Sequence, residues 1–446
     1  MKTVAFHTLG CKVNQYDTQA MLELFTAAGY EAVPFSSDAD VYVINTCTVT
    51  GTGDRKSLQL ARRVRREHPE SELVLCGCLA QRMGEAIQKE TGARLVLGTQ
   101  RRNEVVTLLE QAVAEDRCLT CVEPLAAAPF EPLVITRQEE HTRAVMKIQE
   151  GCNNFCTYCV IPYVRGPIRS RPLADIRAEA ERLAEAGYRE LVLTGIHLTS
   201  YGRDLQDMPA LTDVLEALET VEGLRRVRLG SLEPVIVTEG FLNRAAVCRK
   251  LCPQFHLALQ SGSDTVLKRM ARRYNTRQYL EAVAALRAVW PLAALTTDIL
   301  TGFPGETEAE HQETLAFARR VGFARIHVFP YSPREGTPAA RMAGQLPREI
   351  KERRVRELIA AGQETARCYQ AQWIGRGTEV LLETAEDHRI TGYTPEYLPV
   401  SLPEGAGQPG QLLPVRIEAV ENGLLLASPA DFPSAGTKAP AVSSDH

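Results

Sequence analysis

At 446 residues the chain is too long for one ordinary domain, and 44% apolar against 24% charged residues excludes a fibrous or disordered chain. A formal net charge of −4 gives no case for nucleic-acid binding from overall charge, so any such case rests on local basic patches. The short polar start, the lack of an apolar run of membrane length and the twelve cysteines lead us to expect a cytoplasmic protein with no membrane partner, its thiols serving metals and not disulfides.

The first region repeats one pattern three times. Val4–Leu9, Val41–Ile44 and Leu73–Leu75 are apolar runs that lead to Cys11, Cys47 and Cys78, and helix-like stretches follow, among them Asp17–Ala28 and the basic Arg55–Arg66. Strands alternating with helices predict a doubly wound parallel sheet over residues 1–122, with ligands bound outside the carboxyl ends of its strands. Three strand-end cysteines would then surround one point. Cys76 would share a strand face with Cys78, but Gly77 favours the chain turning over the strand end at Cys78, which leaves Cys76 as a core residue. Cys118 and Cys121 form a C-x2-C with no second pair nearby, and we read them as bystanders.

Residues 123–137, rich in proline and alanine at their start, read as a linker. Beyond it, Val145–Gln149 leads into Gly151-Cys152-Asn153-Asn154-Phe155-Cys156-Thr157-Tyr158-Cys159. Three thiolates in that spacing can hold a four-iron cubane and leave one iron without a protein ligand, open for chemistry. A zinc site would need a fourth cysteine or histidine close by, and none follows Cys159 before His197. Further strands are expected at Glu190–Leu193, Arg226–Leu229, His256–Leu259, Leu295–Leu300 and Arg325–Phe329, giving six βα units and a partial (β/α) barrel over 138–371. Chemistry in such a barrel belongs at the carboxyl ends of the strands, where Gly195, Ser231, Glu233, Gln260, Asp298 and Phe329 are candidate cofactor or substrate contacts, together with Tyr158. Gly302–Thr307 lacks the lysine of a phosphate loop and reads as a turn that shapes the cofactor pocket. Cys248 and Cys252, four apart, read as packing residues on a helix, and Cys368 has no partner.

A charged helix over Pro347–Arg367 leads to residues 372–428, where short β-rich runs alternate with Gly and Pro and suggest a small β-barrel. Residues 429–446, rich in Ser, Ala and Pro, read as a disordered tail.

The C-x3-C-x2-C run with Tyr158 before its last cysteine resembles the signature of radical S-adenosylmethionine enzymes. Together with Thr8–Asn14, Asn45–Val49, Gly77–Gln81, Gln260–Ser263, Thr297-Asp298, Gly302–Thr307, Tyr331–Thr337 and Gly392–Tyr397, the chain resembles the methylthiotransferases over nearly its whole length. That resemblance implies an N-terminal domain with an auxiliary 4Fe-4S cluster on Cys11, Cys47 and Cys78, and a radical domain with a second 4Fe-4S cluster on Cys152, Cys156 and Cys159. It also implies S-adenosyl-L-methionine as both radical source and methyl donor, and a C-terminal TRAM-like barrel. The Gly-Cys-Lys-Val-Asn form at Gly10–Asn14 most resembles the branch acting on threonylcarbamoyl-adenosine in tRNA, with a methylthio group added at C2 of the base at position 37 of the anticodon stem-loop. The isopentenyl-adenosine branch tends to carry Gln-Met, and the branch modifying a ribosomal protein Pro-Lys-Asn, at the corresponding places. The substrate's threonyl group carries a carboxylate, so Lys12 is open to two readings, a complement to that charge or a solvated loop residue.

For RNA we expect Arg165, Arg169 and Arg171 to meet phosphates, with Lys268–Arg273 next in line. The C-terminal region is a poor magnet for RNA, with three Arg and no Lys against eight Asp and Glu between Gln372 and Ser428. A two-cluster electron carrier is the competing class, but it needs no substrate cavity at barrel strand ends. Neither the sulfur donor nor the reductant is legible.

Overall fold

The computed structural model describes residues 2–125, 129–138, 142–386 and 388–430. Its first six strands, β1 (Thr3–Thr8), β2 (Glu31–Val33), β3 (Val41–Thr46), β4 (Glu72–Gly77), β5 (Leu95–Leu97) and β6 (Leu119–Cys121), form one parallel sheet in the order β2-β1-β3-β4-β5-β6. β3 is buried along its entire length, as expected of a strand covered on both faces by helices. Sequence reading saw three of these strands; β2, β5 and β6 have three residues each, too few for a period to register. The order reverses between β1 and β3, so the crevice of this sheet opens where β1 delivers Cys11 and β3 delivers Cys47.

The central region is an open half-barrel of two four-stranded sheets. One has the order β10-β9-β7-β8, from β7 (Arg143–Glu150), β8 (Arg169–Ser170), β9 (Glu190–Gly195) and β10 (Arg226–Leu229). The other has the order β11-β12-β13-β14, from β11 (Ser231–Leu232), β12 (Gln254–Leu257), β13 (Ala294–Thr301) and β14 (Arg325–Pro330). Six of these are the predicted barrel strands. The two-residue pieces β8 and β11 were missed, β8 pairing antiparallel at the edge and β11 continuing the wall one residue after β10. The predicted helix carrying Cys248 and Cys252 ends at Ala245, and both thiols are instead buried in the turn beyond it. Helix Arg348–Ala371 runs along β14, where Gly362 lets its backbone come close to Ile326.

The C-terminal region is a closed five-stranded barrel, β15 (Gly377–Glu386), β16 (Arg389–Tyr393), β17 (Pro399–Pro403), β18 (Leu412–Glu421) and β19 (Leu424–Pro429), around Val380, Leu382, Ile390, Val400, Val415 and Ile417. Pro429 closes β19 and the Ala430 N–H donates to Pro414, so order extends past the start predicted for the tail; residues 431–446 lie outside the described residues, as do 126–128 of the linker. The barrel grips the amino ends of the half-barrel strands. Arg228 donates to the carbonyls of Pro395 (2.7 Å) and Thr394 (3.3 Å), and Arg226 to Tyr393 (3.1 Å) and Glu379 (2.7 Å). Arg143 lies over the stacked rings of Tyr393 and Tyr397 at 4.9 and 4.8 Å.

Candidate active site

The N-terminal sheet lies across the carboxyl ends of the half-barrel strands and is tied there at both edges. On the β14 side, Arg334 donates to Thr48 (2.8 Å) and pairs with Asp54, and the Gly51 N–H donates to Ser332. On the β7 side, helix Ile161–Arg165, which follows Cys159, packs on helix Cys78–Met83 through Val160, Val164 and Cys78 itself. The two cysteine triads therefore sit on neighbouring elements.

Cys11 precedes helix Lys12–Ala27, Cys47 follows β3, and Cys78 begins its helix directly after β4. Gly77, at φ +91°, makes the sharp exit from β4; a Cβ there would come within 2.4 Å of the Asn45 side chain. Asn14 staples two of the loops, donating to the carbonyls of Leu9 (2.7 Å) and Thr46 (3.1 Å). Burial pushes the Cys47 thiol up and the Cys78 thiol to about 11, and each also feels the charge of Cys11 and of Arg165, so the three sulfurs share one electrostatic neighbourhood. Cys76 has no part in it: its sulfur lies 4.0 Å from Met21 Sδ in the core of the sheet, and burial holds its thiol at about 12. Cys118 is exposed before β6 and Cys121 half-buried within it.

In the second triad, burial pushes Cys152 to about 11 and Cys159 to about 12, with the charge of Cys156 adding to both and that of Cys152 adding to Cys159. The loop carrying them is braced by Asn154, whose Nδ2 donates to Glu233 (3.0 Å). Glu233 also meets His197 Nε2 at 3.2 Å and Arg272 at 2.7 Å. Burial opposes ionisation of Glu233, but the His197 hydrogen bond and the Arg272 charge outweigh it and hold the carboxyl below its usual range. Arg272 Nη1 donates to Cys156 Sγ at 3.2 Å. Tyr158 stands edge-on to Phe303 (6.5 Å), which is buried against Tyr331, so Gly302–Thr307 backs the tyrosine and Thr307 then caps the next helix.

Of the other strand-end candidates, Ser231 is exposed, Gln260 has φ +66° beside β13, Asp298 lies 3.4 Å from His256, and Phe329 is 46% exposed. Gly195 leaves no room for a side chain, since a Cβ would be 2.9 Å from Gln149. Glu233 is already engaged by three partners and braces the cysteine loop.

Arg165, Arg169 and Arg171 are not the phosphate contacts expected from sequence. They are 0%, 5% and 3% exposed, so no RNA backbone reaches them. Arg171 pairs with Glu179 (2.7 Å), and Arg169 donates to the Arg165 carbonyl. Arg165 donates from Nε to Cys78 Sγ at 3.1 Å and bonds Asn14, Glu150 and Asp17. It belongs to a dry ionic cluster between the domains: Asp17 pairs with Arg102 and Lys147, Arg102 with Glu131 (2.6 Å) and Glu150 (3.4 Å). Burial would raise the Glu150 pKa, but Lys147, Arg102 and Arg165 overcome it and hold the carboxylate charged. Each triad thus has one arginine donating to a sulfur. Sequence reading missed both roles, because a run of arginines carries no sign of the direction its side chains take.

The residues fit two iron–sulfur clusters by donor chemistry. Each triad is three cysteines, the usual donors for such clusters, with no carboxylate in reach of the sulfurs by any hydrogen bond, and Gly10 leaves a cradle a Cβ would fill at 3.0 Å from Cys47 Sγ. Among the described residues no three His, Cys, Asp or Glu converge on a single metal ion. A cubane spaces its thiolates at separate corners.

Residues 3–98 match the model of the uncharacterized protein family UPF0004, and residues 146–318 that of the radical SAM superfamily. The chain is 42% identical over 424 residues to the threonylcarbamoyladenosine tRNA methylthiotransferase MtaB of Bacillus subtilis, covering 94% of both chains. It is 37% identical to the MtaB of Thermotoga maritima, covering 86% of this chain and 87% of that one. It is 36% identical to a tRNA-2-methylthio-N(6)-dimethylallyladenosine synthase of Streptomyces viridosporus, covering 93% of this chain and 85% of that one. Among solved structures, the radical S-adenosylmethionine methyltransferase TsrM of Kitasatospora setae superposes with a TM-score of 0.56 at 14% identity, covering 76% of this chain and 77% of that one, which speaks to the fold alone. No helix among the described residues is long and apolar enough to cross a membrane.

Proposed function

The chain belongs to the radical S-adenosylmethionine tRNA methylthiotransferases, and we propose that it adds a methylthio group to C2 of N6-threonylcarbamoyladenosine at position 37 of tRNA. One observation carries the reading at the site: two cysteine triads on adjoining elements, over the open mouth of a half-barrel. An electron carrier has no use for that mouth. The higher identity to the threonylcarbamoyladenosine enzymes, 42% against 36% for the dimethylallyladenosine synthase, supports the choice of branch, and the ribosomal-protein reading has no support from the motif after Cys11.

In this reading Cys152, Cys156 and Cys159 hold one 4Fe-4S cluster and Cys11, Cys47 and Cys78 the other, each with one iron free of protein. When bound, the clusters and S-adenosylmethionine supply the radical that removes the C2 hydrogen and the methylated sulfur that replaces it. The chain's own part is positional. Asn154, His197 and Glu233 fix the loop of the radical triad, while Tyr158, Gln260, Asp298 and Phe329 line the side from which cofactor and base approach. Arg272 and Arg165 donate to a sulfur in each triad, which stabilises the more negative state of the ligand set. The C-terminal barrel, TRAM-like in strand number and closure, commits Glu379 and Glu383 to Arg226 and Arg143, so it acts chiefly as a support for the half-barrel. A cytoplasmic location follows from a tRNA substrate.

Two results test the division of labour and the RNA path. Replacing Cys11, Cys47 and Cys78 with Ala is expected to spare part of 5′-deoxyadenosine formation and abolish methylthio insertion, read by chromatography and by mass spectrometry of tRNA nucleosides; equal loss of both in a folded variant contradicts it. With the three buried arginines withdrawn, Lys268 and Arg273 are the exposed cations beside the radical loop, Arg273 donating to the Asn153 carbonyl at 3.3 Å. Changing both to Gln is expected to lower the slope of log K against log salt by roughly 1.4–1.8 for two lost phosphate contacts. An unchanged slope moves the RNA path elsewhere.

A further inference from the structure

Phe155 stands between Cys152 and Cys156 at φ +48°, a left-handed backbone that a bulky side chain rarely adopts. Its neighbour Asn154 turns inward to His197 (3.1 Å) and Glu233 (3.0 Å), which follow β9 and β11 at the mouth of the half-barrel. Phe155 turns the other way and is 54% exposed. At helix Ile161–Arg165, Val160 and Val164 pack against Cys78, while Tyr163 is 52% exposed. The two rings meet edge to face, with centroids 5.7 Å apart and planes at 75°. Among the described residues no other ring pair has both members so exposed. An edge-to-face contact covers only one of the four ring faces, so the rest stay open to solvent beside the mouth. One exposed ring is ordinary; two in contact on a strained loop are not.

The surroundings of the pair give the chemistry of its partner. Residues 268–273 are tied to the loop on both sides of Phe155. Thr157 donates from its hydroxyl to the Arg269 carbonyl (2.9 Å) and from its N–H to the Met270 carbonyl (3.1 Å), and Arg273 donates to the Asn153 carbonyl (3.3 Å). Arg269 and Arg272 are taken up by Glu310 and Glu233, whereas Lys268 and Arg273 are exposed. Neither residues 151–166 nor residues 268–273 include a carboxylate. Open aromatic faces edged by cations fit a single strand, which carries phosphates and bare nucleobases together. An apolar peptide would leave the cations unused, and a duplex would offer the rings no base face.

We propose that Phe155 and Tyr163 form a platform on which an unpaired base of the anticodon loop stacks, next to the adenosine being modified. The proposal rests on the tRNA reading given above. For its C2 to reach the mouth of the half-barrel the adenosine must leave the stack of the loop, and a neighbouring base then loses a stacking partner. The ring pair replaces that partner, and Lys268 and Arg273 take the adjoining phosphates. Base and charge are thus met by different residues, and an experiment can separate them.

The test measures equilibrium binding of reconstituted holoenzyme, at matched iron content, to an anticodon stem-loop RNA and to a blunt RNA duplex of equal charge. Tyr163→Leu keeps apolar bulk without a ring, and Phe155→Asn removes the ring with a residue that accepts the left-handed backbone. Each is expected to weaken stem-loop binding by roughly 5- to 100-fold, the range for one base stacked on an aromatic side chain. The slope of log K against log salt is expected to stay unchanged, because no phosphate contact is lost. Duplex binding is expected to be unaffected in both, and Tyr163→Trp to keep its stem-loop affinity. Unchanged stem-loop affinity in either ring-removing variant overturns the proposal, as does an equal loss on the duplex, a flattened salt slope or a failure of Tyr163→Trp. A wild type that binds neither RNA overturns instead the tRNA reading beneath it.

Discussion

Replacing Cys152, Cys156 and Cys159 together with Ala is expected to remove 5′-deoxyadenosine formation outright and to halve the iron of the reconstituted protein, from about eight atoms per chain to about four. The expectation follows from the separation of the two sulfur sets by chain and by support. The radical set hangs on the loop after β7, braced by Asn154, Glu233 and Arg272, and the auxiliary set on three strand ends of another sheet, braced by Asn14 and Arg165. Losing the first leaves the second with its own scaffold intact. Iron and product are measured on the same sample. Full retention of iron by the triple variant would mean that these cysteines hold no cluster.

Arg165→Met is expected to cost about 3–5 kcal/mol of stability, the usual penalty for removing one partner of a buried ion network, because buried Glu150 and Asp17 lose a cationic partner that no water replaces. Arg165 is 0% exposed and its guanidinium meets Glu150, Asp17, Asn14 and Cys78. Urea unfolding of the apoprotein reads the stability, and iron content after reconstitution reads the second consequence, a lower yield of the auxiliary cluster as Cys78 loses its donor. The salt dependence of tRNA binding should stay where it was. A stable variant with a flattened salt slope would return Arg165 to the RNA surface and sink the assignment.

The candidate cysteine triads stand out in the sequence because the spacing of Cys152, Cys156 and Cys159 is local and the strand ends before Cys11, Cys47 and Cys78 are marked by apolar runs and by Gly10 and Gly77. Three domains and six of the half-barrel strands were legible for the same reason. Arg165 was not, since its partners Asp17 and Glu150 lie 148 and 15 residues away and burial is decided by the docking of two domains. The basic run Arg165–Arg171 would look the same on a surface as in a seam. The acidic character of the C-terminal barrel was visible as a count, and the structure gives two of those carboxylates their partners in Arg143 and Arg226.

The seam of Asp17, Arg102, Glu131, Lys147, Glu150 and Arg165 draws on the N-terminal sheet, the linker and the radical domain at once. None of the three can be exchanged alone. A chimera that grafts the first domain of another enzyme onto this half-barrel would bring Asp17 and Arg102 positions drawn from a different set, and would bury mismatched charges unless Glu131, Lys147, Glu150 and Arg165 travelled with them. A change at any one of these six positions would strand a buried partner, so substitutions in the seam are expected to be tolerated only in matched sets.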